Sequence, residues 1–522
     1  MSNINLSSLA DSLVKSKISP ASEQPARPTL SQAATATAPP EERPREATEP
    51  SIFSTEPNLR TAEPSIFKEQ THEQDTPTPA AFWRGSAPDP EPTDGRPYPK
   101  EPANVAQTGI TETMIEQLIL KAIYFRGDVV GSELAEALGL KFSILEPIVD
   151  NFRRQQLINV KRSLGMGNIS SVLALSDNGR GRAQECLESC LYSGTAPVPL
   201  DQYIAIVNAQ KLPDSWLTMD MLKKAYGHMV VTDELLGQIG PAVNSGKSFL
   251  IYGQPGNGKT FLAEALFTLH KEPIFIPYAI ECQGQIIQLF DPIYHQRVDE
   301  EAGESSIFRR TAAPYDRRWF KARRPFIVSG GELAFESLDL AYNAVAKTYD
   351  APLHMKANNG IYLIDDFGRQ KVTPHEVLNR WIVPMEKRVD FLTFQNGGKI
   401  TSPFEVFLVF STNLNPEKLG DEAFLRRIQY KMLMKSPSED EFKTIFCKFA
   451  EAKGLKFDPA IADGFLERHY RKSGKARRRC HPRDVLTHAI DFIRFERRPF
   501  ELTDHVVDHA FLSCFIDTSE NG

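Results

Sequence analysis

Eight consecutive residues carry the clearest chemistry in this chain: Gly253, Gln254, Pro255, Gly256, Asn257, Gly258, Lys259 and Thr260. The glycines let successive backbone N–H groups curl around phosphate oxygens. Lys259 adds a long, mobile cation that can reach the outer phosphates of a nucleotide, and the Thr260 hydroxyl can bind Mg2+. Phe261 follows at once and completes the candidate nucleotide-contacting set. A second run, Gly360-Ile361-Tyr362-Leu363-Ile364-Asp365-Asp366, carries an apolar stretch into two carboxylates. Asp365 suits a place in the Mg2+ shell, and Asp366 suits orienting or deprotonating an attacking water.

Three elements must hold these groups. Ser248–Tyr252 reads as a buried strand. Leu262, Ala265, Leu266 and Leu269 recur at helical spacing directly after the loop. The loop therefore opens a helix N-terminus, whose dipole favours phosphate. Residues 360–364 read as a second buried strand, with its acids at the C-terminal edge where open α/β sheets place ligand chemistry. Val406–Asn413 is a third apolar run, and it ends in Ser411, Thr412 and Asn413.

Taken in order, these motifs resemble those of AAA+ ATPases, over about residues 215–515. The third run is similar to the family's sensor-1 strand, which implies that Asn413 shares the nucleophilic water. Asp421–Ile428 resembles the segment carrying the arginine finger, implying that Arg427, with Arg426 beside it, acts on the γ-phosphate of a neighbouring subunit. His481–Leu486 resembles sensor 2, implying that Arg483 reaches the nucleotide from a helical lid. Ala357–Gly360, and a hairpin expected across Glu386–Phe404, look most like the MoxR-type and enhancer-binding-activator branch. The resemblance implies an α/β fold: a P-loop AAA+ parallel sheet with helices on both faces, plus a C-terminal helical lid. It implies ATP and Mg2+ as ligands and self-association into a nucleotide-dependent ring, expected as a hexamer. Asp366 departs from the commoner glutamate, although helicase loaders carry a similar Ile-Asp-Asp-Phe-Gly stretch. An aromatic–glycine pore loop is not apparent after Ile274–Tyr278. The chain between Lys259 and Asp365 leaves room for an insertion, in which Arg317–Arg324 surrounds Trp319 and Phe320 with bases. That stretch reads as a surface loop with a buried tryptophan, ahead of a nucleic-acid contact.

With 522 residues the chain is too long for one compact core, and its net charge of −6 excludes a molecule basic throughout. Six scattered cysteines without zinc-finger spacing read as reduced thiols, no apolar run approaches a membrane span, and no signal pattern opens the chain. A cytoplasmic protein without membrane insertion is expected. Five regions follow: a disordered Pro-rich tail (1–105), a winged-helix domain (106–192), a connector (193–247), the α/β core (248–435) and the lid (436–522). The connector is expected to hold one helical stretch around Met219–Lys224 and beyond, and Gly240–Gly246 closes it. In the lid, Ser438 and Glu441 form a capping box, and the basic run 471–479 reads as a solvated loop, ahead of a contact with an acidic partner or DNA.

The tail holds Leu6, Leu9 and Leu13 on one helical face and repeats Glu-Pro-Ser-Ile-Phe at Glu49–Phe53 and Glu63–Phe67. Past it, Ile115, Leu118, Ile119, Ala122 and Ile123 mark a first helix, Ser132–Gly139 a second, and a Ser143/Glu146 capping box a third. Two extended runs follow, Leu157–Lys161 and Ser171–Leu175. Three helices and a hairpin resemble a winged helix. The leading reading is an ATPase that remodels or regulates an unidentified protein client. The alternatives are an ATP-switched DNA-binding regulator or helicase-loader-like protein, and a nucleotide-binding scaffold that barely hydrolyses. DNA is the less favoured partner, because the exposed face of the third helix mixes acids with bases.

Overall fold

The computed structural model describes residues 98–163, 165, 167–213, 215–269, 272–298, 315–420 and 422–515. The leucine trio and the repeated pentapeptide lie outside them. Residues 98–105, assigned to the tail by composition, instead pack on the body: Pro99 is buried, and its carbonyl accepts from the Asp316 N–H at 2.9 Å.

The N-terminal unit begins with α1 (Glu112–Arg126), β1 (Val129–Val130), α2 (Gly131–Leu138) and α3 (Phe142–Arg154). It continues with β2 (Ile158–Ser163), β3 (Ser171–Leu175) and α4 (Asp177–Ser189). The three expected helices and the hairpin are present, and β1 adds a third strand in the antiparallel order β1-β3-β2. Ile115, Leu118, Leu134, Leu145, Ile148 and Phe152 fill one core. The Ser143 capping box does not form. Burying Phe142 moves the start of α3 two residues earlier, with Lys141 and not Ser143 at the N-cap, and Glu146 turns to Asn168.

The connector holds three helices where the sequence suggested one: Leu200–Ala209, Met219–Ala225 and α5 (Asp233–Ser245). The Gly240–Gly246 stretch, read as a closing segment, is mostly the end of α5. Leu236, Ile239, Ala242 and Val243 bury one face of that helix, and packing overrides the local signal of Gly240 and Pro241.

The α/β unit centres on five parallel strands: β4 (Ser248–Tyr252), β5 (Phe326–Ser329), β6 (Ile361–Ile364), β7 (Phe407–Thr412) and β8 (Tyr430–Leu433). Their order is β5-β6-β7-β4-β8. Side chains alternate between two cores. Phe249, Ile251, Ile361, Leu363 and Val409 meet α5 and α6 (Lys259–Phe267). Leu250, Tyr362, Ile364 and Phe410 meet Val377, Leu378 and Trp381 from helices on the opposite face. The fold is mixed α/β with a parallel sheet flanked by helices, as expected. C-terminally, α7 (Glu439–Ala452), α8 (Ala460–Leu466), α9 (His481–Phe495) and α10 (Asp504–Cys514) enclose their own core around Phe442, Phe446, Phe465 and Ile490. The capping box Ser438/Glu441 opens α7 as expected. Among the described residues no helix is long and apolar enough to cross a membrane.

The insertion between α6 and β6 is structural. Trp319–Ala322 pairs antiparallel with Ile274–Pro277, and both Trp319 and Phe320 are buried. Trp319 is buried as expected, but in a paired strand and not a surface loop. With both rings buried, this stretch offers no nucleic-acid stacking platform. Of its five bases, Arg318 and Arg324 turn inward, while Arg317 and Arg323 stay exposed. Arg318 is 1% exposed and forms an ion pair with the equally buried Asp316 at 2.7 Å. Its Nη1 donates to the carbonyls of Thr108 at 2.7 Å and Pro197 at 3.2 Å, and its Nη2 donates to Gln202. One guanidinium thus ties the N-terminal unit and the connector to the insertion. Arg318→Ala leaves a buried carboxylate unpaired, a change that costs about 3–5 kcal/mol. Urea unfolding of the full chain is expected to register that loss, and a change of about 0.5 kcal/mol would reduce the pair to surface worth.

Candidate nucleotide-binding site

Strand β4 runs straight into the glycine loop. Gly253 has φ 143, and a Cβ there would lie 2.5 Å from the Met434 carbonyl, so only glycine lets the loop pass the end of β8. Gly258 takes φ 84 immediately before α6 and directs its first N–H groups at the cleft. Lys259 is 6% exposed. Its Nζ donates to Asn413 Oδ1 at 2.6 Å and to the carbonyls of Gly253 at 3.0 Å and Gln254 at 3.1 Å. Burial pushes the ammonium pKa down, partly offset by the carboxylates of Asp366 and Asp365, while Arg478 pushes the same way as burial.

Thr260 Oγ1 lies 2.9 and 3.1 Å from the two Asp365 oxygens. Asp366 has φ 49, a left-handed conformation that aspartate tolerates better than most residues. That turn separates the neighbouring acids: Asp365 faces Thr260, and Asp366 accepts from Asn413 Nδ2 at 2.6 Å. A hydrogen-bonded chain therefore runs Lys259–Asn413–Asp366.

A cleft of about 780 Å3 opens over these groups. Pro255 to Phe261, Asp365, Asp366, Asn413 and Arg483 line it. Gly253 and Gln254 are not in its lining; their carbonyls face Lys259. Arg426 and Arg427 are also outside it. Arg427 Nε donates to Glu386 of the same chain at 2.8 Å, and Arg426 is exposed. Arg483 is paired with its neighbour Asp484 at 2.9 Å, and its side chain is 63% exposed.

Sequence reasoning missed three contributions. His228, Met229, Val230 and Val231 form an apolar wall from the connector, and His228 meets Phe261 edge-on at 5.4 Å. Ile445 and Phe449 close the wall from α7. Before α9, a strap of the lid lies on the glycine loop: Cys480 N–H donates to the Gly256 carbonyl at 2.9 Å, and Arg478 Nη2 donates to Gln254 at 3.3 Å. The basic run 471–479, read as a solvated loop, is largely used up here. Arg471 and Arg477 pair with Glu439, and Arg479 pairs with Glu441. Arg478 instead bonds the neutral Gln254 and Ser436. The only sequence signal for this was the position of the run next to the sensor-2-like segment.

The oxygens of Thr260 and Asp365 suit Mg2+, a hard cation that keeps waters and is bound through one or two protein oxygens plus phosphates. Among the described residues no group of three or more His, Cys, Asp or Glu is placed to hold a metal. Glu264 also lines the cleft, its carboxyl pKa raised by burial and by Asp365.

Residues 438–513 match the model of a family described as a domain of unknown function (DUF8689). No curated protein matches the chain. Among solved structures it is similar to NtrX from Brucella abortus in complex with ADP, at 13% identity and a TM-score of 0.34, over 57% of this chain and 60% of that one. It is also similar to a Thermotoga maritima RuvB mutant, at 14% identity and a TM-score of 0.30, over 58% and 73%. The chain thus spans 60% of the NtrX chain it matches. At this level of similarity, the reading of the site rests on its own geometry.

His481 opens α9 beside the strap, with Nδ1 2.9 Å from the Tyr470 hydroxyl. Burial, helped by Lys475 and Arg478, pushes its imidazole from the usual 6.5 down to about 4. The folded state then binds fewer protons than the unfolded state between those values, so stability present above about pH 6.5 is lost as pH falls toward 4. The unfolding midpoint of the parent chain is expected to fall more steeply across that window than that of His481→Gln. Equal slopes would assign the acid sensitivity to other groups.

Proposed function

We propose that this chain is an AAA+ ATPase that binds Mg-ATP in the cleft, hydrolyses it, and uses the cycle to remodel or regulate a protein partner. One observation carries the reading: β7 lies between β4 and β6, so Asn413 bridges Lys259 and Asp366. The backbone N–H groups of the glycine loop and the Lys259 ammonium hold the phosphates, and the apolar wall from His228 to Val231 takes the base. Thr260 and Asp365 hold Mg2+, which neutralises phosphate charge when bound. Asp366 takes the proton of the attacking water, and Asn413 fixes that water and the carboxylate together. Arg478 and Arg483 bring lid charge to the mouth of the cleft. Left-handed backbone at position 366 is a physical reason for aspartate there, since a longer glutamate gains reach but loses the local fit.

Arg426 and Arg427 lie outside their own chain's cleft, the arrangement a trans-acting cation requires. Assembly into a ring, with these residues facing the neighbour's γ-phosphate, follows from that reading. The N-terminal unit is a winged helix in this proposal, and it docks protein ahead of DNA. Asn168 bonds Asp150 at 3.1 Å and Arg153 at 3.1 Å, tying the polar face of α3 to the turn ahead of β3. A helix so covered is poorly placed to enter a major groove.

Lys259→Ala is expected to abolish binding of a fluorescent ATP analogue; undiminished affinity would end the site assignment. Asp366→Asn keeps the left-handed turn but removes the base, so ATP should bind while phosphate release falls by about 10²–10⁴-fold. Release at the parent rate would move the base elsewhere. With Asp366→Asn and ATP, light scattering should detect a discrete oligomer, because a ligand held between subunits stabilises their assembly. A monomer at every concentration would remove the trans mechanism.

A further inference from the structure

Ser411, the penultimate residue of β7, has no part in the hydrogen-bond network described so far. The residue is 1% exposed, lines the cleft, and its Oγ is fully enclosed without a hydrogen-bond partner among the described residues. Its direction follows from strand alternation. Phe407 and Val409 point into the core beneath α6, while Leu408 and Phe410 point into the opposite one. Ser411 continues the first series. On the neighbouring β6, Ile361 and Leu363 point the same way, and Asp365 continues them. The register pairs Ile364 with Phe410, so the next step sets Ser411 alongside Asp365, under the first turn of α6.

The surrounding groups are already committed. The Lys259 ammonium bonds three oxygens, and the Thr260 hydroxyl bonds Asp365. The backbone cannot easily turn Ser411 away: its carbonyl accepts from the Phe367 N–H at 2.7 Å, and Thr412 Oγ1 donates to the Phe367 carbonyl at 2.7 Å. A buried hydroxyl left alone is destabilising, and such a group facing a cleft is satisfied by ordered water or ligand oxygen. Serine can accept and donate at once. Mg2+ keeps several of its waters, and their polarised O–H groups need acceptors.

We propose that Ser411 is a positioning residue of the phosphate site, its hydroxyl accepting from a water of the Mg2+ shell and holding that water against Asp365. This rests on the nucleotide reading above and adds a residue to it. Ser411 then tunes the metal-dependent part of nucleotide affinity and leaves the contacts of phosphate with the loop alone.

The full chain is titrated with a fluorescent ATP analogue, once with excess EDTA and once with Mg2+, and its thermal unfolding is followed without nucleotide. For Ser411→Ala the metal-free Kd is expected to match the parent, while the tightening caused by Mg2+ shrinks about tenfold, the worth of one hydrogen bond to a charged centre. Ser411→Thr, which keeps the hydroxyl, should recover most of that tightening. Without nucleotide, Ser411→Ala should unfold at a higher temperature than the parent, because it removes an unsatisfied buried group. Parent-like Mg2+ tightening in Ser411→Ala overturns the proposal, as does an equal loss with and without metal. A lower unfolding temperature also overturns it, since the hydroxyl would then have a protein partner. A parent chain that binds no nucleotide in either condition overturns the nucleotide reading and this inference with it.

Discussion

The Lys259–Asn413–Asp366 chain exists because one strand is inserted between two others. Were β4 and β6 adjacent, the loop lysine and the acid pair would face each other directly, with no neutral group between them. With β7 between them, an amide bridges cation and carboxylate at 2.6 Å on each side. The amide accepts from one partner and donates to the other, which fixes its orientation. Charges at the C-terminal edge of the sheet are thereby held apart yet coupled, and any group that displaces Lys259 from Asn413 also frees Asn413 to reorient at Asp366.

The lid is coupled to the same loop by its backbone. Cys480 donates to Gly256, and the fully buried Asn257 donates to Met434 and Ser436 beyond β8. A side chain at Gly256 would meet the Cys480 sulfur at 2.6 Å, so the loop glycine is fixed by the lid as well as by its φ of 78. A change in loop conformation therefore reaches the helices around Phe465 through hydrogen bonds as well as through side chains at the cleft. Arg318 performs a comparable task for the N-terminal unit, where its guanidinium donates to Thr108, Pro197 and Gln202. The Asn257 and Arg318 side chains in these links are removed from water, where unsatisfied donors are costly, and this is what makes them restrictive.

The basic segments illustrate how composition and placement diverge. Arg317–Arg324 and 471–479 look alike as sequence, each a cluster of cations around a few other residues. In the first, strand pairing buries the aromatic residues and draws Arg318 and Arg324 inward to backbone carbonyls. In the second, Glu439, Glu441 and Glu467 from the same lid pair with Arg471, Arg477 and Arg479, half of the run's six bases. Each cluster leaves less basic surface than its local sequence suggests.

Sequence alone determined the parts governed by neighbours along the chain. The glycine loop between Tyr252 and Lys259, the helical spacing of Leu262 to Leu266, the acids after Ile364 and the capping box at Ser438 are all short-range signals, and backbone sterics or a local hydrogen bond enforces each of them. Tertiary structure decided what depends on chain segments far apart. It placed β7 between β4 and β6, brought His228 to Val231 over the loop, and laid Arg478 and Cys480 on residues more than two hundred positions earlier. It buried Phe142 at the cost of an expected cap and carried α5 through Gly240 and Pro241. Local propensities are worth about 1 kcal/mol or less per residue for all but proline, which costs about 3 kcal/mol, whereas burying a large apolar side chain is worth about 1.5–3 kcal/mol. One buried side chain therefore outweighs most local signals, and Leu236, Ile239 and Val243 together outweigh Pro241 in α5.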